Sequence, residues 1–332
     1  MKKLISVLTT TILGVALLAG CSSQPANTSE NPAPQATEKI KIGILQPMDH
    51  PSLNTIRESI ISEIEAMGLG DVIELDYKNA NGDASTMVSI ANQFVGNKVD
   101  MIIPIGTNAA QTTAAATKDI PIVFAAVSYP VDAGLVSDLS VTDANITGVT
   151  NAIAIEEIFN LVKTLTPEVK KFGFVYNTGE VNAVSSIDRA KEYCDANGLE
   201  YRDAVITNTG ELQQTAQSLA GKVDAIFTPN DNMVASAMPV LAGEAIKAKL
   251  PVYVGADSMV QDGGFASVGI DYTILGKQVA RMVKRIAIDN EEISKNPVEV
   301  VDEYAKLINR TTADAIGVEI PAELLKEYIV LE

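Results

Sequence analysis

The chain has 332 residues, 47% of them hydrophobic but only 5% aromatic, with no tryptophan. Its formal net charge of −17 would repel phosphate backbones and anionic lipid heads, which excludes nucleic acid as a partner. One histidine and two cysteines are too few soft ligands for a conventional zinc site. The length fits two domains of ordinary size. No Gly-x-Ser-x-Gly elbow, Walker loop or His-Glu-x-x-His segment occurs, and a single histidine does not serve the usual triads. Neither an enzyme nor a cofactor is expected.

The amino terminus carries Met1-Lys2-Lys3 and then an apolar run over residues 4–19, too short for a comfortable membrane span. It ends in Leu18-Ala19-Gly20-Cys21, which resembles the lipobox of bacterial lipoproteins. That resemblance implies a signal peptide over residues 1–20, cleavage before Cys21, and acylation of the Cys21 thiol and new amino group. Several acyl chains on one cysteine hold a protein durably at a membrane. Residues 22–37 hold serine, asparagine, glutamine, proline and alanine with one charge, Glu30. Residues 21–38 therefore read as an acylated cysteine on a flexible tether, with the rest of the chain outside the cytoplasmic membrane. Cys194 lies in a helical pattern and reads as buried filler.

Folded structure is expected from residue 39. A strand at 39–45 and a loop at 46–52 precede a helix at 54–67, with Ile56, Ile60, Ile61 and Ile64 on one face. Strands at 71–77, 100–103, 121–125 and 145–150 alternate with helices at 85–95 and 108–117. A helix at 155–165, closed by Pro167, opens a second series. It continues as strand 171–176, helix 184–197 stopped by Gly198, strand 200–205, helix 211–219, strand 225–227 and helix 232–247. Strands at 252–255 and 266–270 complete it. A helix at 272–289, strands at 298–301 and 306–309, a turn at 311–316 and the 323–331 segment are too few for a third core. Alternating β and α with right-handed crossovers predicts an α/β fold of two doubly wound parallel sheets.

The two halves are written alike. Lys98-Val99-Asp100-Met101-Ile102-Ile103-Pro104-Ile105-Gly106-Thr107-Asn108 is echoed by Lys222-Val223-Asp224-Ala225-Ile226-Phe227-Thr228-Pro229-Asn230-Asp231-Asn232. Lys118-Asp119-Ile120-Pro121-Ile122-Val123-Phe124 is matched by Lys249-Leu250-Pro251-Val252-Tyr253-Val254, and both copies reach a serine seven positions past the proline, Ser128 and Ser258. Each copy reads as a buried strand with polar residues at its carboxyl end, where open α/β sheets bind ligands.

Lys41-Ile42-Gly43-Ile44-Leu45-Gln46 followed by His50-Pro51-Ser52-Leu53 resembles the opening of ABC-transporter substrate-binding lipoproteins of the tryptophan/tyrosine-binding type. Gly106-Thr107-Asn108-Ala109-Ala110-Gln111, Pro229-Asn230-Asp231-Asn232 and Ala266-Ser267-Val268-Gly269-Ile270-Asp271 carry the same resemblance, over about residues 39–301. It implies a type I periplasmic-binding-protein fold. The lobes would be residues 39–149 plus 273–302 and residues 150–272 plus 303–332, with hinge crossings near 148–151, 269–272 and 302–304. The implied partners are a small-molecule ligand and ABC permease subunits in the membrane, the protein itself being a monomer.

A free amino acid presents a carboxylate, an ammonium and a side chain. For the carboxylate, Thr107, Asn108 and Ala109 offer donors at a helix amino terminus, and Ser52 opens the first helix likewise. Both hydroxyls could equally cap their helices. For the ammonium, Asp231, Asp257 and Asp271 sit at strand ends around one crevice. Asp231 comes first because its repeat mate is Thr107, and the choice among the three stays open. Leu45, Met48, Leu53 and Tyr129 suit an apolar side chain. His50 either stabilises its turn or meets the ligand. Gln46, Ser128 and Asn232, with Asn177, Glu180 and Asn182 opposite the 46–52 loop, complete the expected set. The expected function is capture of tryptophan, tyrosine or phenylalanine by hinge closure for an importer. The alternative is a nucleoside or other small solute, or a receptor subunit of a membrane sensor.

Overall fold

The computed structural model describes residues 39–140, 144–301 and 303–332. The expected signal peptide, Cys21 and the tether lie outside the described residues, as does Asp302, the expected end of the first lobe. The first series is β1 (Ile40–Gln46), α1 (Pro51–Ala66), β2 (Ile73–Asn79), α2 (Ala84–Gly96), β3 (Met101–Pro104), α3 (Thr107–Ala116), β4 (Ile122–Ala125) and β5 (Ile146–Thr150). The second begins with α4 (Ile155–Leu165), β6 (Lys171–Asn177), α5 (Val181–Asn197), β7 (Glu200–Ile206) and α6 (Leu212–Leu219). It continues with β8 (Ala225–Thr228), α7 (Asn232–Ser236), α8 (Met238–Lys247), β9 (Val252–Val254), α9 (Asp257–Gln261) and β10 (Ala266–Ile270). The chain closes with α10 (Tyr272–Val283), β11 (Glu299–Val300), β12 (Tyr304–Asn309), α11 (Arg310–Ile316) and β13 (Ile329–Leu331).

Two sheets result, ordered β11-β5-β4-β3-β1-β2 and β13-β12-β10-β9-β8-β6-β7. Short apolar runs buried on both faces make their centres: β3, β4, β5, β8, β9 and β10 are buried throughout. β12 departs from the parallel expectation by running antiparallel to β10, as one strand of a mixed sheet often does near its edge. The chain passes from one sheet to the other after Thr150, after Ile270 and between Val300 and Tyr304.

The sequence repeat is a structural repeat. Asp100 Oδ2 accepts from the Lys41 N–H at 2.7 Å, and Asp224 Oδ2 accepts from those of Lys170 and Lys171 at 2.9 and 2.8 Å. Each aspartate ties the start of the strand beside it, β1 or β6, in the same way. α10 lies on α1, and the approach needs Gly276. A Cβ there would stand 2.6 Å from Ser59 Cβ and 2.8 Å from the Ile56 carbonyl oxygen.

Three local differences from the sequence reading have physical causes. The helix expected at 232–247 is broken at Ala237 (φ −133°), because Pro239 lacks an N–H and suits only the first turn of the new helix α8. α9, a five-residue helix, is too short to show a period. The helix expected at 272–289 is α-helical only to Val283 and widens into a π turn over Lys284–Ile288. Cys194 is buried in the second lobe's core beside the Phe159, Phe172 and Phe174 cluster. Burial pushes its thiol up to about 12.

Candidate functional site

At the carboxyl ends of both sheets a small cleft is lined by α1, the starts of α3 and α7, and the loops after β4, β8 and β9. The two lobes touch around it. Ser52 Oγ and Ser258 Oγ share a hydrogen bond at 2.5 Å, and His50 Nε2 lies 3.1 Å from Asn232 Oδ1. The Asn230 amide donates to Ser128 Oγ at 2.9 Å and to the Asn151 carbonyl at 3.2 Å.

The first lobe contributes a helix start left open. Gly106, at φ +85°, turns the chain from β3 into α3, a backbone angle that favours glycine. No side chain caps α3, so Thr107 does not serve as its cap. Thr107 Oγ1 is buried without a hydrogen-bond partner among the described residues, on the cavity wall. Orphan N–H groups and the helix dipole together make such an end attractive to a carboxylate. α1 begins after His50, again with no side-chain cap, and turns Leu53 and Ile56 to the cavity.

The second lobe contributes two buried carboxylates. Asp231 Oδ1 accepts from the Val234 N–H at 2.9 Å and so caps α7, while Oδ2 accepts from the Asn177 N–H at 2.6 Å. Glu180 Oε2 accepts from the Asn232 N–H at 3.1 Å and from Asn232 Nδ2 at 2.6 Å, and Oε1 accepts from the Met233 N–H at 3.1 Å. Both side chains are essentially inaccessible. Burial raises both carboxyls above the usual range, and the charge of Glu180 raises Asp231 further. Among the described residues no lysine or arginine lines the cavity; Asp231 reaches its wall, and Glu180 lies behind Asn182 and Asn232. Burial also lowers the neighbouring His50 to about 4, leaving the ring neutral near pH 7.

Of the residues expected from sequence, His50, Ser52, Leu53, Thr107, Ser128, Asn182, Asp231 and Asn232 line this cavity. The others do not. Gln46 is buried under the 46–50 loop, where its amide donates to the Met48 carbonyl and Asn54 Oδ1, both at 2.8 Å. Met48 packs on the core edge, Leu45 and Ala109 are core residues, and Asn108 is half-buried away from the lining. Tyr129 lies under the Arg189 guanidinium, 3.9 Å from its ring centroid. Asn177 holds Asp231 and the Gly179 N–H, and Glu180 stands behind Asn182 and Asn232.

Asp257 and Asp271 are likewise set back, because their carboxylates serve helix starts. Asp271 caps α10 through the Thr273 and Ile274 N–H groups at 2.8 and 3.1 Å, and Asp257 accepts from the Ser258 N–H at 2.7 Å. Burial pushes Asp257 up to about 6. The lining also holds Gly106, Asn151, Asn230, Met259 and Tyr272, which were not among the expected contacts. Gly106 and Asn230 are repeat mates, one position before Thr107 and Asp231. Both lie inside the repeat, so pairing its positions one by one would have found them.

Two parallel-dominated lobes closed on a cavity at their strand ends define the type I periplasmic-binding-protein fold. The chain belongs to the ABC transporter substrate binding proteins, whose family model matches residues 41–329. It is 36% identical over 322 residues to a "Tyrosine-binding protein" of Clostridioides difficile (strain R20291), covering 96% of this chain and 93% of that one. The structure of an ABC domain in complex with L-Trp from Streptococcus pneumoniae matches with a TM-score of 0.85 at 34% identity, covering 89% of this chain and all of that one. The ligand-free, open structure of a substrate binding protein with adhesive properties from Clostridium difficile matches with a TM-score of 0.69 at 36% identity, covering 88% of this chain and 99% of that one.

Proposed function

We propose that the chain is the extracytoplasmic, lipid-anchored receptor of an ABC importer and that it captures an aromatic amino acid, tyrosine, tryptophan or phenylalanine. The observation that carries this reading is the buried Asp231 on the cavity wall, backed by Glu180 and with no lysine or arginine in the lining among the described residues, in one cavity with the uncapped start of α3. A zwitterion complements both at once, its ammonium held on the acidic side and its carboxylate by α3 and the Thr107 hydroxyl. Leu53, Ile56 and Met259 give the side chain an apolar wall, and methionine suits an aromatic ring. The tyrosine-binding relative and the tryptophan complex support the same ligand class.

The lobes are residues 39–149 plus 273–302 and residues 150–272 plus 303–332, hinged near 148–151, 269–272 and 302–304. Ligand closes them by making contacts to both. Cys21 anchors the protein through the 21–38 tether. It works as a monomer without catalysis and hands its ligand to permease subunits.

A thermal-shift screen of the full chain in detergent against amino acids, nucleosides and sugars tests this. An aromatic amino acid is expected to give the largest shift, about 4 kcal/mol of stabilisation at a thousandfold excess over Kd. A shift from a nucleoside alone would reject the reading.

A further inference from the structure

Asn232 connects the acidic side of the cavity to His50. Its Nδ2 donates to Glu180 Oε2 at 2.6 Å, which fixes the amide with Oδ1 turned toward His50 Nε2, 3.1 Å away. An amide oxygen only accepts, so Nε2 carries the ring proton. The ring is neutral because burial holds it far below its ordinary range, and Nδ1 is then a bare lone pair. Nδ1 is buried without a partner among the described residues, in a side chain only 6% exposed that lines the cavity.

We infer that His50 Nδ1 is the specificity-determining acceptor of the site, taking a hydrogen bond from a donor on the ligand's side chain, a phenol O–H or an indole N–H. Two further orphan acceptors, Asn182 Oδ1 and Asn230 Oδ1, lie in the second lobe beside Asp231 and serve the ammonium. His50 instead comes from the first lobe, immediately before α1, and lines the same cavity as Leu53 and Ile56 of that helix. A ring lying on Leu53 and Ile56 points its polar tip to His50. A phenyl ring would leave Nδ1 dry and unpaired, and a site built around a donor rejects the analogue that lacks it.

This inference rests on the aromatic-amino-acid reading, and the test separates the two. Isothermal titration of the full chain in detergent would compare tyrosine, phenylalanine and 4-fluorophenylalanine, the last filling the para position without a donor. Tyrosine is expected to bind about tenfold or more tightly than either analogue. His50→Leu is expected to bring all three within about twofold of one another, with tyrosine losing the most and all three weakened somewhat by loss of the His50–Asn232 contact between the lobes. Equal binding of tyrosine and phenylalanine by the unaltered chain would overturn the inference. So would a His50→Leu chain that loses phenylalanine as fully as tyrosine, since His50 would then serve the ammonium. If none of the three binds and tryptophan does not bind either, the parent reading fails with it. The ligand comparison in the unaltered chain decides the matter even where His50→Leu does not fold.

Discussion

Ser128 and Ser258 stand at equivalent places in the two halves, and each is bonded across the cleft. Ser128 Oγ accepts from Asn230 at 2.9 Å and Ser258 Oγ meets Ser52 Oγ at 2.5 Å. The duplication thus supplied one latch from each side, both at the mouth of a loop that follows a buried strand.

Removing one latch should loosen closure without unfolding either lobe. Ser258→Ala and Ser52→Ala are each expected to weaken ligand binding about two- to tenfold, the worth of one ordinary hydrogen bond. The double variant should be no weaker than the single ones, as a double-mutant cycle would show. Additive losses would mean that the two hydroxyls act on separate partners.

Asp231→Asn keeps an oxygen for one backbone N–H but turns an NH₂ group toward the other donor, Asn177 or Val234. A destabilisation of about 1–3 kcal/mol is expected, together with loss of the ligand-induced thermal shift. A variant that melts lower yet keeps the full shift would confine Asp231 to the capping of α7.

The pH response follows from the sign of each displacement. Asp231 and Glu180 are raised, so the stability they contribute is complete below the ordinary carboxylate range and is lost as pH rises through their folded values. Asp257, at about 6, loses its contribution by that pH. His50 runs the other way: lowered from 6.5 to about 4, its contribution is present above 6.5 and fades as pH falls toward 4. Between about pH 6.5 and 8 the buried acidic pair dominates among the described residues. There the ligand-free melting temperature should fall with pH while the ligand's increment grows, because its ammonium offsets the emerging charge. An increment that stays flat from pH 6.5 to 9 would contradict this.

Gly255 has no room for a side chain. A Cβ there would stand 2.6 Å from the Asn230 nitrogen and 2.8 Å from the Pro229 carbonyl carbon, both backbone. Gly255→Ala is expected to cost about 1–3 kcal/mol and, by pushing the 229–232 loop, to reduce affinity more than a comparable change far from the cavity. Chemical denaturation and calorimetry on one preparation would show both effects.

The Cys194 thiol, buried and raised to about 12, should resist alkylation at pH 8 in the native chain and react in denaturant. Peptide mapping after iodoacetamide reports it directly.

The strands, their succession along the chain and the duplication were readable in advance because buried runs and helical periods are properties of many residues together. Individual contacts were less so, since a side chain's target depends on where its helix begins. Asp257 and Asp271 occupy strand ends as expected, yet the first turns of α9 and α10 claim their carboxylates. Gln46 follows a strand too, but it is drawn under its own loop by Asn54 and the Met48 carbonyl. Asn151 and Tyr272 were placed in the crossing segments. They meet each other at 3.4 Å and reach the cavity, which no periodicity announces.

Three strands of backbone join the lobes, after Thr150, after Ile270 and between Val300 and Tyr304. A single linker would let the halves slide, twist and drift apart. Three side by side behave like the knuckles of a door hinge and leave one axis of swing. The rims must then come together in the same alignment on every cycle, so a serine on one edge meets the same serine on the other without searching.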